Sequence, residues 1–237
     1  MDNTAKEKQK RIRLLLAFLI VASMFVVRGI LLKTGAIKTP EDLQPDALKE
    51  RIDRYEVRID TGTERGGGTI LQVNEKQKDP DVLYILSAAH LLDGFESEEG
   101  EHPGVITLPD GQEIHGEVIY LDSRRDFGFV KAEAEYTHSV YFSEDYLYQM
   151  QPDALLYYEN RDNSELYAGS YLGRQVEAAG QDGTFLAFLG TSEEGMSGSG
   201  VYAANGYYLG TIVAGSEDGS ILCIPGNEIV DSFRKNH

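Results

Sequence analysis

From residue 55 onward the chain alternates short β-prone runs with tight-turn signals. Asp182-Gly183, Asn205-Gly206 and Asp218-Gly219 each lie between two apolar runs, and such pairs favour the backbone of β-hairpin turns. The 25 glycines and 14 tyrosines suit the same architecture. The runs fall into two groups of about six, so the sequence predicts an all-β domain of two packed six-stranded barrels.

The candidate strands of the first group cover residues 55–59, 68–73, 82–87, 104–108, 113–121 and 127–132. Those of the second group cover residues 154–159, 167–176, 184–189, 200–203, 207–214 and 220–224. A short C-terminal helix is expected after Pro225, because Asn227 is a suitable cap and basic side chains follow near the helix end.

The first 54 residues have a different character. Residues 14–32 are predominantly apolar and carry a single charge, at Arg28, and as a helix they would be about 28 Å long, close to the thickness of a bilayer core. Five basic residues precede this run, which predicts a cytoplasmic segment 1–13, a membrane-spanning signal-anchor 14–32, a juxtamembrane linker with a short helix over 33–54, and an extracytoplasmic domain 55–237. A cleaved signal peptide is the alternative.

The charge of the chain excludes one class of partner. The formal net charge is −17, and seven of the 22 basic residues but only two of the 39 acidic ones lie in the first 33 positions. The remaining surface would repel nucleic acid, so no nucleic-acid partner is expected. Cys223 is the only cysteine, and no Cys/His cluster suggests a metal, so the sequence predicts neither a metal nor a cofactor.

The segment Gly-Met-Ser-Gly-Ser-Gly over residues 195–200 carries the strongest chemical signal. Flanking glycines allow the backbone to curl, so that the N–H groups of Gly195 and Ser197 converge as donors for the oxyanion of a tetrahedral intermediate. Ser197 would be the nucleophile of such a site.

Two upstream residues complete the arrangement. His90 ends the run YILSAAH and Asp126 begins the run DFGFVK, so the candidate residues occur in the order histidine, aspartate, serine. A serine hydroxyl needs a base, His90 would accept its proton, and Asp126 would orient the imidazole. Taken singly, each of the three has an ordinary structural explanation, and only their order and contexts together predict a catalytic triad.

The segment 55–237 resembles the protease domain of the HtrA/Deg family, within the chymotrypsin-like (trypsin-like) serine peptidases. The segments that carry the resemblance are RGGGTIL (65–71), ILSAAH (85–90), LPDGQ (108–112) with GEVI (116–119), DFGFVK (126–131), GMSGSGV (195–201), LGTI (209–212) and IPGN (224–227).

The resemblance implies a double six-stranded β-barrel with the site in the cleft between the barrels. His90, Asp126 and Ser197 would form the triad, and Gly195 and Ser197 would supply the oxyanion donors. Substrate backbone would pair with Val213, Ala214 and Gly215, and Thr191 and Ser192 would lie near the primary specificity pocket. The expected function is that of a membrane-anchored serine endopeptidase acting on extracytoplasmic proteins or peptides.

Three departures from the family keep an alternative open. Met196 stands where asparagine or aspartate is usual, Ser199 replaces a usual glycine, and no PDZ domain is expected after the last helix. The alternative is a catalytically inactive or partner-activated peptide-binding sensor module on the same barrel. The oligomeric state is not predicted.

Overall fold

The computed structural model describes residues 41–72, 81–95, 104–140, 150–177, 182–216 and 218–236, together with positions 11, 13, 14, 18 and 23. Nearly all of the predicted membrane span 14–32 lies outside these residues. Among the residues that are described, no helix is both long and apolar enough to cross a membrane.

A short helix, α1 (Pro45–Asp53), precedes the strands. Pro45 opens its first turn and Arg51 lies in its last turn, as expected for a helix start and end. Leu48 and Ile52 are buried against the strand core, and the compact unit that contains α1 begins at Asp42. The part of the expected linker that follows Asp42 is therefore packed into the folded domain.

Seven strands form the first sheet, in the order β5-β4-β1-β2-β3-β7-β6. Their bounds are β1 (Glu56–Asp60), β2 (Arg65–Leu71), β3 (Val82–Ser87), β4 (Val105–Thr107), β5 (Glu113–Ile114), β6 (Gly116–Asp122) and β7 (Phe127–Glu133).

The prediction of six strands in a first closed barrel is wrong. The expected single strand 113–121 is divided at His115, where β5 pairs with β4 and β6 pairs with β7. These two strands are the opposite edges of the sheet and only one residue separates them, so the sheet must curl until its edges approach each other. The result is a half-barrel that is not closed by a strand ladder between β5 and β6 in the described part of the chain.

The second group of strands forms a closed six-stranded barrel, as predicted, in the order β10-β13-β12-β11-β8-β9. Its strands are β8 (Leu155–Asn160), β9 (Glu165–Val176), β10 (Phe185–Leu189), β11 (Gly200–Ala203), β12 (Tyr208–Gly215) and β13 (Ser220–Pro225). Two short elements complete the fold, the helical turn α2 (Ala89–Leu92) after β3 and the predicted C-terminal helix α3 (Gly226–Asn236).

Candidate active site

His90 lies in the helical turn α2, directly after strand β3. Leu91 and Leu92 are each 1% exposed and pack α2 against β6 and β7, whereas the His90 side chain is 45% exposed. Burial of the two leucines thus fixes the turn and leaves the imidazole at the surface. Because Asp126 lies between β6 and β7, the same packing brings His90 to Asp126.

Asp126 is held in a strained turn by its neighbour Arg125. The φ angle of Asp126 is 61°, in the left-handed region that few residues other than glycine adopt. The Arg125 guanidinium donates to Asp122 at 2.8 Å and to Ser232 Oγ at 2.8 Å, and it lies 5.0 Å from the ring centre of Phe127. These contacts hold the turn in place and support the unusual backbone at Asp126.

Both carboxylate oxygens of Asp126 bind His90. Oδ2 lies 2.7 Å from Nδ1 of the ring, and Oδ1 accepts from the backbone N–H of His90 at 2.9 Å. An ionised carboxylate only accepts, so Nδ1 carries the proton and Nε2 of a neutral imidazole is left as the acceptor. The hydrogen bond to Asp126 raises the pKa of His90 above its usual value of 6.5, against the opposing effect of partial burial. The pair is therefore arranged as a base with a fixed tautomer.

The loop that carries Ser197 is docked on the first sheet. The Ser197 carbonyl accepts from Gly67 N–H at 2.8 Å, and on its other side Gly198 N–H donates to the Ile212 carbonyl at 2.8 Å. A Cβ at Gly66 would lie 2.6 Å from the Ser197 carbonyl oxygen and 2.5 Å from the Leu91 side chain. The serine loop and α2 thus meet at the same glycine.

The backbone conformation and the close packing at position 198 explain why a glycine follows the serine. Its φ is +85°, and a Cβ there would lie 2.2 Å from both the Gly67 carbonyl oxygen and Ser87 Oγ. Ser87 itself donates to that carbonyl at 2.7 Å and precedes His90 by three positions. Ser197 is partly exposed. Within the described residues no hydrogen bond joins it to the imidazole of His90, so the full triad remains a prediction.

Gly195, the predicted oxyanion donor, is buried and has a φ of +89°. The residue after it, Met196, is 2% exposed and packs among the core side chains of the second barrel. The Met196 sulfur also accepts from the N–H of Glu193 at 3.3 Å. The departure at Met196 is thus a hydrophobic anchor for the loop that precedes Ser197.

The residues predicted to contact substrate lie on two neighbouring segments. β12 continues through Val213, Ala214 and Gly215, past the last residue that pairs with β11, so within the described residues no strand covers that edge. Thr191 and Ser192 are exposed, and the Thr191 carbonyl accepts from Tyr158 OH at 2.8 Å. Ser192 Oγ lies only 1.9 Å from where a Cβ at Gly215 would stand, so the two segments are in contact.

Two residues near the serine loop were missed by the sequence analysis. Asn160 Nδ2 donates to the Glu194 carbonyl at 3.1 Å, and the Glu56 carboxylate accepts from Gly200 N–H at 2.9 Å. The segment NRDNS (160–164) signals only a turn, and Glu56 begins an ordinary strand pattern. Neither position carries a local signal of its contact, because both contacts join segments that are far apart in the sequence.

Comparisons with known proteins identify the family and the fold. The family described as Trypsin-like peptidase domain matches residues 68–210, which are 143 of the 237 positions. Among solved structures, the chain is similar to the HtrA-type protease AlgW with a tripeptide, with a TM-score of 0.66 and 14% identity. That likeness covers 81% of this chain and 63% of the AlgW chain, and at this identity it concerns the fold alone. No curated protein matches the chain.

Proposed function

This chain belongs to the family of trypsin-like peptidases, and we propose that it is a membrane-anchored serine endopeptidase that cleaves extracytoplasmic proteins. The observation that carries the proposal is the His90–Asp126 pair, in which one carboxylate binds both the ring and the backbone of the histidine. An aspartate in a strained backbone conformation that fixes the tautomer of a histidine is expected where the histidine acts as a base, and not where it only occupies a surface turn.

The proposed reaction proceeds through an acyl-enzyme. Ser197 Oγ attacks the carbonyl carbon of the scissile peptide bond while His90 Nε2 takes the hydroxyl proton. The N–H groups of Gly195 and Ser197 bind the oxyanion of the tetrahedral intermediate. Collapse breaks the C–N bond, and His90 gives its proton to the leaving amine. A water molecule, deprotonated by His90, then hydrolyses the ester and regenerates Ser197.

Substrate would bind in an extended conformation. The edge formed by Val213, Ala214 and Gly215 is not paired with β11 or any other strand on that side in the described part of the chain, so a peptide strand could be added to it. Main-chain pairing of this kind recognises any unfolded or extended segment, so a preference for such segments is expected.

The test of the activity is cleavage profiling on a library of peptides with both termini blocked. Cleavage at internal bonds, lost in Ser197→Ala and retained in Ser170→Ala, supports a serine endopeptidase. Ser170 is a matched control because it lies on β9 and is not part of the serine loop. Activity that needs a free terminus, or that survives in Ser197→Ala, contradicts the proposal.

Membrane anchoring is tested separately. The full chain should stay in the membrane fraction after alkaline extraction, with its C-terminal domain accessible to added protease only from the extracytoplasmic side. Release of the chain by alkaline extraction contradicts the anchor without affecting the peptidase assignment.

A second candidate, a peptidase at rest until a partner acts, is favoured by one contact. Ser192 touches Gly215, which closes the gap between the two segments assigned to substrate binding. A resting enzyme would show slow cleavage that accelerates after a lag or on addition of a peptide ligand. A purely binding module would hold peptide without turnover, and equally well in Ser197→Ala.

A further inference from the structure

The peptide unit between Glu194 and Gly195 is held from its carbonyl side by a buried asparagine. Asn160, the last residue of β8, is 3% exposed, and its Nδ2 donates to the Glu194 carbonyl at 3.1 Å. Its Oδ1 accepts from the N–H of Asp162 at 3.0 Å, which fixes the orientation of the side-chain amide. The oxygen and the nitrogen of this amide are therefore both hydrogen-bonded, and the NH₂ donor faces the serine loop.

Gly195 lies directly against the turn that Asn160 begins. A Cβ at Gly195 would approach Asp162 Oδ2 to 2.9 Å and Asn160 Oδ1 to 3.1 Å. The turn is itself held to α1, because Arg161 contacts Asp53 at 3.5 Å, and Arg161 also contacts Glu159 of β8 at 2.8 Å. The surface on which Gly195 lies is thus part of the packed domain.

The direction of one group in a peptide unit sets the direction of the other. In a trans peptide the C=O and the following N–H point to opposite sides, and the described chain contains no cis peptide bond. With its carbonyl bound to Asn160, the Glu194–Gly195 peptide directs the Gly195 N–H to the side away from Asn160. A half-turn of this peptide would exchange the two groups and place a carbonyl where a donor is needed.

The residues on both sides of the Glu194–Gly195 peptide are fixed, so this peptide is the part of the loop that could rotate. The Met196 side chain is anchored in the second barrel and its sulfur binds the Glu193 N–H, so both sides of the peptide are fixed. From this geometry we infer that Asn160 is a positioning residue for the reaction, which holds the Glu194–Gly195 peptide with the Gly195 N–H turned toward the oxyanion. This inference rests on the proposed function.

Asn160→Asp tests the inference with little change of shape. The aspartate can still accept from Asp162 N–H but, when ionised, cannot donate to the Glu194 carbonyl and repels it. The matched control is Asn163→Asp, the same change in the same turn, where Oδ1 accepts from Glu165 N–H at 2.9 Å. In the described part of the chain the Asn163 Nδ2 donates to Tyr167 OH at 3.2 Å and not to the Glu194 carbonyl.

The readout is kcat and KM, determined separately for the full chain with a blocked peptide that the unsubstituted enzyme cleaves. Loss of one oxyanion donor lowers kcat by about 10² to 10³-fold, so Asn160→Asp should lower kcat by about that factor while KM stays within about twofold. Asn163→Asp should keep kcat within about threefold. A crystal structure of Asn160→Asp should show the Glu194–Gly195 peptide rotated.

Three results overturn the inference. One is Asn160→Asp with kcat within about threefold of the unsubstituted enzyme. Another is an equal loss of kcat in both variants, which would indicate that only the stability of the turn matters. The third is an unrotated peptide in the crystal structure of Asn160→Asp. If the unsubstituted chain neither cleaves peptides nor differs from Ser197→Ala, the proposed function itself fails and the inference fails with it.

Discussion

Glu56 carries a carboxyl group that is fully buried where the first sheet meets the second barrel. The carboxylate accepts from Thr69 Oγ1 at 2.8 Å, from Gly200 N–H at 2.9 Å and from Tyr202 OH. Burial raises the pKa of Glu56 to about 6 from its ordinary value of 4.5, although these hydrogen bonds oppose the rise. The folded state therefore binds a proton more tightly than the unfolded state does.

The sign and size of the resulting pH dependence follow directly. A carboxyl group with a raised pKa in the folded state contributes most to stability below pH 4.5, and that contribution is lost as the pH rises to about 6. At about 1.4 kcal/mol for each pKa unit, the loss amounts to about 2 kcal/mol. Above pH 6 the contribution is constant.

Glu56→Gln removes this dependence, because the amide has no proton to lose. The variant also has an amide donor in place of one carboxylate acceptor oxygen, at a cost that does not change with pH. The unfolding free energy of the unsubstituted chain minus that of Glu56→Gln should therefore fall by about 2 kcal/mol between pH 4 and pH 7.5. Urea denaturation followed by tyrosine fluorescence measures it, and the exposed Glu117→Gln controls for the loss of one surface carboxyl group. A difference that stays constant, or that grows with pH, refutes this account of the buried carboxyl group.

Three further predictions concern the candidate site. The kcat/KM of the unsubstituted enzyme should rise with pH about a midpoint above 6.5, and Asp126→Asn should lower this midpoint because the hydrogen bond that raises the pKa of His90 is weakened; an unchanged midpoint contradicts the assignment. Gly198→Ala should lower kcat/KM by about 10²-fold or more, since its Cβ would lie 2.2 Å from the Gly67 carbonyl. The control is Gly111→Ala, at a position with a φ of +87° and no atom within 4 Å of the added Cβ, which should lower stability but not kcat/KM. An equal loss of kcat/KM in Gly198→Ala and Gly111→Ala would mean that backbone strain alone is responsible. Ser199→Ala should be neutral or stabilising by about 1 kcal/mol in urea denaturation, because the buried Ser199 hydroxyl has no hydrogen-bond partner in the described part of the chain; a clear destabilisation would show that the hydroxyl is bound.

Much of the fold followed from local sequence signals. The turn pairs at Asn205-Gly206 and Asp218-Gly219 lie between β11 and β12 and between β12 and β13, as predicted. The division of the expected strand 113–121 was not predictable, because the break at His115 carries no turn signal. It is decided by pairing with β4 on one side and β7 on the other. The resemblance to trypsin-like peptidases and to the HtrA-type fold is confirmed.

The candidate site was predictable only where chemistry is local. His90 follows a buried strand, and Ser197 lies in a segment with Gly195 two positions before it and Gly198 directly after it, so each stands in a recognisable segment. Glu56 alternates with apolar residues in β1 and would by that pattern face solvent with Arg58, but β11 covers it. Asn160 donates a hydrogen bond to the carbonyl of Glu194, which lies 34 positions later in the sequence. Such contacts depend on how the barrel is closed, which no short pattern encodes.

Labelling with a fluorophosphonate probe tests the central claim most directly. The hydroxyl of an activated serine attacks the phosphorus, so the folded full chain should carry one label, mapped by mass spectrometry to Ser197. The label should be absent in Ser197→Ala and should form far more slowly in His90→Ala. A folded chain that takes no label, or that is labelled equally well in Ser197→Ala, would contradict the assignment of Ser197 as a nucleophile activated by His90.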